Sequence, residues 1–145
     1  MTLRHHDEKI DLLRSLPPFT GASNRELRDL AAAADIVTAQ AGRVLLRADR
    51  RALETYVVID GTVDVVIGGT TVCSLHRGEF AGELGVIDGR PRSADVVAAT
   101  DVTLLAISAP ALRALIETSH AVRIALLRQI AERVRHMDLE LQPAS

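Results

Sequence analysis

The hydrophobic positions of residues 1–34 repeat at the spacing of an α-helix. A first apolar stripe ends at Pro17-Pro18, a pair that predicts the end of a helix. A second stripe follows Ser23 and Glu26, which have the spacing of a capping box. The pattern therefore predicts two N-terminal helices separated by a short break.

Between residues 35 and 107 the pattern changes to short β-branched runs separated by turn residues. The change predicts strands in place of helices. Three pairs of turn residues each predict a hairpin between neighbouring strands, namely Asp60-Gly61, Gly68-Gly69 and Thr100-Asp101. Many short strands punctuated by turns are typical of a β-roll or a jelly roll.

Residues 108–142 return to helical spacing. Ser108 can cap a helix, and Pro110 falls in the first turn, where its missing N–H is harmless. A final helix is expected from about residue 119 to residue 141, and its apolar residues step by three and four at Ile124, Leu127, Ala131 and Val134. This stripe can pack on the β-roll of its own chain or pair with another helix, and both alternatives stay open.

The order of elements indicates one α+β domain over residues 1–145. We expect N-terminal helices over about residues 1–34, an antiparallel β-roll (jelly-roll-like, a double-stranded β-helix) over 35–107, and C-terminal helices over 108–142, the last of them long. The chain is 48% hydrophobic but only 2% aromatic, so the core must consist of Val, Leu, Ile and Ala.

Charge, cysteine content and hydropathy argue against several classes of protein. The formal net charge of −2 argues against a dedicated nucleic-acid surface. Cys73 is the only cysteine, which excludes an intramolecular disulfide. No apolar run approaches the roughly 18 residues of a membrane span, and the polar start of the chain does not resemble a signal peptide. We expect a cytoplasmic protein that contacts neither DNA nor a membrane directly.

The residues best suited to bind a ligand are concentrated in segment 80–94, between two β regions. Gly82 allows the backbone to approach a ligand closely. A helical turn from Leu84 to Asp88 would direct free N–H groups at a phosphate. Arg92 offers a planar fork for two phosphate oxygens, and Glu83 offers a carboxylate to a ribose hydroxyl. The alternative is an ordinary surface ion pair between Glu83 and Arg92.

This segment resembles the phosphate-binding cassette of the cyclic nucleotide-binding domain family. That family includes bacterial catabolite activator proteins, regulatory subunits of cAMP-dependent kinase and cyclic nucleotide-gated channels. The family pattern is matched by Gly82-Glu83-Leu84, by Val86-Ile87 and by Arg92-Ser93-Ala94. Weaker matches follow the family's order over nearly the whole chain, at Leu16 to Phe19, Ala41-Gly42, Tyr56 to Gly61 and Gly78 to Phe80.

The resemblance implies a role for each residue of the cassette. Glu83 would accept a hydrogen bond from the ribose 2′-OH, and Arg92 would pair with the cyclic phosphate. The Leu84 amide and the Ser93 hydroxyl or amide would complete the phosphate cradle, next to Gly82. Serine after the arginine resembles the cAMP-responsive bacterial activators, so cAMP is the expected ligand and cGMP is the alternative.

The resemblance also places the base of the nucleotide. Val72 and Cys73 would lie on the wall that faces it. The family's spacing, counted forward from Arg92, puts Met137 and Asp138 of the last helix beside the base. Met137 would cover the ring, and Asp138 would accept a hydrogen bond from the adenine amino group.

The chain departs from the family pattern at two places. The glycine that usually precedes the central hairpin is missing, although Asp49 can occupy a left-handed turn there. No aromatic residue follows Phe80, so none can stack on the base from the C-terminal helix.

Neither an enzyme nor a metal site is expected. The five histidines show no clustered ligand spacing, and no catalytic motif occurs. We therefore expect no cofactor other than the nucleotide ligand. The favoured function is a regulatory sensor that acts on a partner protein or on a fused effector. The alternative is a ligand-free β-roll that uses its last helix for assembly, and that helix is also the candidate interface of a homodimer.

Overall fold

The computed structural model describes the backbone of residues 2–140 and the side chains of residues 7–136. Helices precede and follow a region of strands, as the hydrophobic pattern predicts. The helices are α1 (Thr2–Ser15), a 3₁₀-helix (Pro17–Phe19), α2 (Asn24–Ala33), α3 (Glu83–Asp88), α4 (Ala109–Thr118) and α5 (His120–Glu140). The strands are β1 (Ala34–Ala39), β2 (Val44–Leu46), β3 (Glu54–Asp60), β4 (Val63–Ile67), β5 (Thr70–Leu75), β6 (Phe80–Ala81), β7 (Asp95–Ala98) and β8 (Val102–Ser108).

The predicted helix caps are confirmed. Ser23 Oγ accepts a hydrogen bond from the Glu26 backbone N–H at 3.1 Å, and the Glu26 carboxylate accepts one from the Ser23 N–H at 2.8 Å. The hydrogen bond from the Ser23 backbone N–H to the Glu26 carboxylate lowers the pKa of that carboxyl. At α4, Ser108 accepts from the Ala111 N–H and Pro110 lies in the first turn. Both helices therefore begin where local chemistry sets their first turn.

The strands form two antiparallel four-stranded sheets. The first has the order β1-β8-β3-β6 and the second has the order β2-β7-β4-β5. The predicted hairpin at Gly68-Gly69 joins β4 to β5, with Ile67 opposite Thr70. Both glycines have positive φ, 57° and 81°, as a two-residue turn between twisted strands requires.

The other two predicted hairpins, at Asp60-Gly61 and Thr100-Asp101, are wrong. Strands β3 and β8 belong to the first sheet, whereas β4 and β7 belong to the second, so each turn carries the chain from one sheet to the other. The two crossings contact each other, and a Cβ on Gly61 would lie 2.4 Å from the Asp101 carbonyl oxygen. A corner between sheets has the same alternating strands and turn residues as a hairpin, so the pattern cannot separate them.

The core has two parts, one between the helices and the first sheet and one between the two sheets. Aliphatic side chains fill both, as the composition predicts. The three aromatic residues are the exceptions: Tyr56 lies in the core between the sheets, and Phe19 and Phe80 form an edge-to-face pair with ring centroids 6.0 Å apart. Phe80 therefore anchors the start of the cassette in the core between the helices and the sheet.

Helix α5 packs on the domain through a different stripe from the predicted one. Val122 and Leu126 are buried. Leu127 and Val134 of the predicted stripe are exposed at 56% and 51%. The alternative that the predicted stripe packs on its own β-roll is therefore wrong, and pairing with another helix stays a prediction. Within residues 2–140 no helix is long and apolar enough to span a membrane.

Candidate functional site

The predicted cassette leaves strand β6, forms helix α3 and continues to strand β7 through a loop. Gly82 precedes α3 with a φ of 83°, in the left-handed region. Space is also limited there, because a Cβ on Gly82 would lie 2.4 Å from Arg92 Nη1 and 2.4 Å from Leu46 Cδ1. Both its conformation and the close approach of Arg92 therefore require glycine at this position.

Glu83 opens helix α3 and is buried, with an exposed fraction of 1%. Its countercharge is Arg133 of helix α5, whose Nη1 donates to Glu83 Oε1. Nη2 of the same guanidinium donates to the Phe80 carbonyl oxygen at 2.6 Å. Arg133 Nε is buried and has no hydrogen-bond partner among the described residues. This pair rules out the alternative of a surface ion pair between Glu83 and Arg92.

Arg92 is also buried, with an exposed fraction of 7%. Nη2 donates to the Glu54 carbonyl oxygen at 2.7 Å, and Nη1 donates to the Gly82 carbonyl oxygen at 3.3 Å. Burial lowers the pKa of the Arg92 guanidinium, and the nearby Glu54 carboxylate opposes that effect. Arg92 thus joins the cassette to the first residue of β3 in a fixed orientation, with further N–H donors on the same group.

The remaining cassette residues lie closer to solvent. Leu84 is exposed at 52% in the first turn of α3. Ser93 is exposed at a bend just before β7. The structure brings Gly82, Glu83, Leu84 and Arg92 together around the start of α3, with Ser93 adjacent to Arg92 in the chain. Their roles toward a ligand stay predictions.

Two of the four predicted base contacts can be placed on strand β5. Cys73 is half-buried, and burial raises the pKa of its thiol while the positive charge of Arg133 partly opposes the rise. Cys73 therefore lies within reach of the charge that faces Glu83. Val72 is 41% exposed and is skipped in the pairing of β4 with β5, where a bulge occurs. The side chains of Met137 and Asp138 lie outside the described residues.

The predicted left-handed turn at Asp49 is confirmed. Asp49 has a φ of 63° and is the one non-glycine residue with positive φ in the described part of the chain. Its N–H donates to the Arg92 carbonyl oxygen at 2.8 Å, and the Arg92 N–H donates to the Arg50 carbonyl oxygen at 3.1 Å. Asp49 therefore adopts the left-handed conformation without being glycine, and Asp49 and Arg50 hold the backbone of Arg92 through these two hydrogen bonds.

Arg133 and Gln129 were not predicted to have a role. The sequence feature that could have identified both residues is their position on helix α5. Val122, Leu126, Gln129 and Arg133 follow each other at intervals of four, three and four residues, so two polar side chains continue a buried apolar face. Polar residues in such positions need partners inside the protein, and only the fold shows that the partners lie about 50 residues earlier in the chain.

The described residues contain no group of three or more His, Cys, Asp or Glu side chains that could hold a metal ion. An open cavity of about 520 Å³ is lined by residues that include Gln40, Asp60 and Asp101, and no cassette residue contributes to it. Glu83 and Arg92 are both buried, whereas Leu84 and Ser93 next to them in the chain are exposed.

Comparison with known proteins relates the chain to one family. Residues 36–119 match the family model of the cyclic nucleotide-binding domain. A cAMP-dependent protein kinase regulatory subunit of Aspergillus niger is 33% identical over 97 residues, which are 66% of this chain and 22% of that protein. A cyclic nucleotide-gated potassium channel of Rhizobium etli is 31% identical over 129 residues, 89% of this chain and 34% of the channel. The chain thus spans about a fifth to a third of these relatives.

The fold is also similar to a solved structure. The regulatory subunit of a cAMP-independent protein kinase A from Trypanosoma brucei superposes with a TM-score of 0.80 at 23% identity. The match covers 97% of this chain and 53% of that chain. The predicted β-roll with flanking helices is therefore confirmed as the fold.

Proposed function

The chain belongs to the cyclic nucleotide-binding domain family, and from this premise we propose that it binds one cyclic 3′,5′-nucleotide, with cAMP preferred over cGMP. Glu83 holds the ribose and Arg92 holds the cyclic phosphate. The observation that carries the proposal is the buried carboxylate of Glu83 beside a buried guanidinium N–H that has no hydrogen-bond partner among the described residues, in the cassette that also holds Arg92.

A ribose hydroxyl suits the groups around Glu83. A hydroxyl donates one hydrogen bond and accepts others. It can therefore donate to the Glu83 carboxylate and accept from Arg133, whose buried Nε has no partner among the side chains of residues 7–136. A buried donor without a partner costs free energy, so a ligand that supplies an acceptor there recovers that cost. A 2′-deoxy nucleotide would supply none.

Phosphate binding rests on Arg92 and on helix α3. The Arg92 guanidinium is 7% exposed, and water screens an ion pair at such a site much less than at the surface. The N–H of Leu84 lies in the first turn of α3, where it has no carbonyl partner within the helix. The Ser93 hydroxyl adds a donor on the other side of Arg92.

The preference for cAMP rests on two residues. Ser93 follows the arginine, as in the bacterial members that respond to cAMP. Asp138 would accept a hydrogen bond from the adenine amino group, whereas the guanine carbonyl oxygen would face the same carboxylate and be repelled. The related kinase subunit of Trypanosoma brucei is named as cAMP-independent, so cGMP belongs in the same experiment.

The domain acts as a regulatory sensor, and its output reaches a partner protein or a fused effector. The relatives support this role, because in the kinase subunit and in the channel the matched region is a minor part of a longer protein. No direct contact with DNA is proposed, since the chain carries a formal net charge of −2. A ligand-free assembly module is the competing function.

Titration calorimetry of the full chain with cAMP and cGMP tests the proposal. We expect one cAMP per chain, weaker cGMP, and at least about tenfold weaker cAMP binding in Arg92→Lys, because a point charge cannot replace the fork. Arg90→Lys is the matched control, since Arg90 is an exposed arginine in the same loop. Absence of binding by the wild type, or equal affinity of wild type and Arg92→Lys, would refute the proposal.

A further inference from the structure

Strand β6 forms the edge of the first sheet, and helix α5 covers that edge. Strand β3 pairs with β6 on one side, where the Glu79 carbonyl oxygen accepts from the Val58 N–H at 3.1 Å. The N–H of Phe80 belongs to the same peptide unit and therefore points the opposite way, toward α5. The backbone N–H and C=O groups on the open side of an edge strand need hydrogen-bond partners when they are buried.

Two side chains of α5 supply those partners. The Phe80 N–H donates to Gln129 Oε1 at 3.0 Å, and Gln129 Nε2 donates to the Gly78 carbonyl oxygen at 2.7 Å. Arg133 Nη2 donates to the Phe80 carbonyl oxygen at 2.6 Å. The Gln129 amide thus binds the open edge as the peptide group of a neighbouring strand would, with one donor and one acceptor.

Gln129 fixes the position of α5 along this edge. The two ends of its amide are chemically different, so a reversed or shifted side chain would lose both hydrogen bonds. Gln129 and Arg133 are four residues apart and project from the same face of the helix. A slip of α5 by one residue would move Arg133 about 1.5 Å along the axis and rotate it by about 100°, away from Glu83.

We propose that Gln129 is a positioning residue of the ligand site: it sets the register of helix α5 against strand β6 and thereby holds Arg133 at Glu83 before any ligand arrives. The hydrogen bonds of Gln129 involve only backbone groups of Gly78 and Phe80, and neither group is among the proposed contacts of the nucleotide. They therefore persist when a ligand hydroxyl enters between Glu83 and Arg133. The consequence for binding rests on the function proposed above, whereas the register itself does not.

The variant Gln129→Met removes both hydrogen bonds with little change in volume. Gln129→Glu keeps the acceptor for the Phe80 N–H but replaces the donor to Gly78 with a carboxylate oxygen that faces the Gly78 carbonyl oxygen, so it should act in the same direction. Glu132→Gln is the matched control, because Glu132 lies on the exposed side of the same helical turn. All three variants are first checked for a cooperative unfolding transition.

The first measurement needs no ligand. Cys73 is the only cysteine; burial raises the pKa of its thiol, and the positive charge of Arg133 partly opposes that rise. The pH profile of alkylation of Cys73 therefore reports whether Arg133 is in place. We expect the profile to move to higher pH in Gln129→Met, as in the reference variant Arg133→Gln, and to stay unchanged in Glu132→Gln. An unchanged profile in Gln129→Met overturns the proposal.

The second measurement compares cAMP with 2′-deoxy-cAMP. We expect Gln129→Met to weaken cAMP binding about tenfold and to leave 2′-deoxy-cAMP binding nearly unchanged, because only the hydroxyl uses the Glu83–Arg133 pair. An equal loss for both nucleotides would make Gln129 part of the scaffold only, and would overturn its positioning role. If the wild type binds neither nucleotide, the proposed function fails, and the alkylation profile alone decides whether Gln129 positions Arg133.

Discussion

Glu83 can remain buried because Arg133, rather than Arg92, compensates its charge. Arg92 donates to two backbone carbonyl oxygens and keeps its own place by them. Arg133 donates to Glu83 from a helix that follows it by about 50 residues in the chain. The two arginines of the site therefore have different functions in the protein without ligand: Arg92 joins parts of the cassette to β3, and Arg133 joins α5 to the cassette.

Removal of one partner of the Glu83–Arg133 pair should be costly. Arg133→Met leaves a carboxylate buried without a countercharge, and we expect a loss of about 3–5 kcal/mol in the free energy of unfolding. Glu83→Gln together with Arg133→Met should recover part of this loss, because no isolated charge remains. Urea unfolding of the wild type, both single variants and the double variant measures the coupling. A loss below about 1 kcal/mol in Arg133→Met would place the pair among weak surface ion pairs.

At the scale of elements, local chemistry made most of the secondary structure predictable. Ser23 with Glu26 and Gly68-Gly69 determine their turns through neighbours in the chain, and both predictions are confirmed. Asp60-Gly61 determines a turn equally well, but whether the next strand stays in the same sheet depends on pairing with β8 and β7, far along the chain. Sequence patterns predict turns for this reason more reliably than they predict sheet membership.

In the cassette, too, local features were predictable and contacts distant in the chain were not. Gly82, Glu83 and Arg92 could be singled out by residue type, because glycine permits a close approach, glutamate supplies a carboxylate and arginine supplies a guanidinium fork. The ion pair of Glu83 with Arg133 was not predicted, because Arg133 reaches Glu83 only when helix α5 packs against strand β6. The polar residues on the buried face of α5 were visible in the sequence, but their partners were not.

The two glycines that bound α3 provide a comparison within one element. Both have positive φ, 83° at Gly82 and 71° at Gly89, but only Gly82 is crowded, by Arg92 and Leu46. Gly89→Ala should cost about 1–2 kcal/mol of unfolding free energy, from the left-handed backbone alone.

Gly82→Ala should cost measurably more than Gly89→Ala, because the added methyl group must displace the Arg92 guanidinium. It should also reduce cAMP binding, whereas Gly89→Ala should not. Urea unfolding and calorimetry of the two variants test this difference. Equal costs would mean that Arg92 moves aside freely and is not held in place.

At the scale of the whole molecule, helix α5 has two faces with separate uses. One face carries Val122, Leu126, Gln129 and Arg133 and packs on the domain beside the cassette. The other face carries Leu127 and Val134, large apolar side chains that are exposed at 56% and 51%. A ligand that changes the contact of α5 with the cassette would also move the exposed face, so a partner bound there would sense the ligand.

We propose that the exposed face of α5 pairs with the same face of a second copy, because its apolar residues step by three and four as in a helix–helix seam. Sedimentation equilibrium should show a dimer for the wild type and a monomer for Leu127→Glu with Val134→Glu. Ala32→Glu with Ala33→Glu is the matched control, since it adds the same charge at exposed positions of α2. The control should remain a dimer, and cAMP should change the dissociation constant of the wild-type dimer. A wild type that stays monomeric with and without cAMP would contradict this assignment and leave α5 to an effector protein.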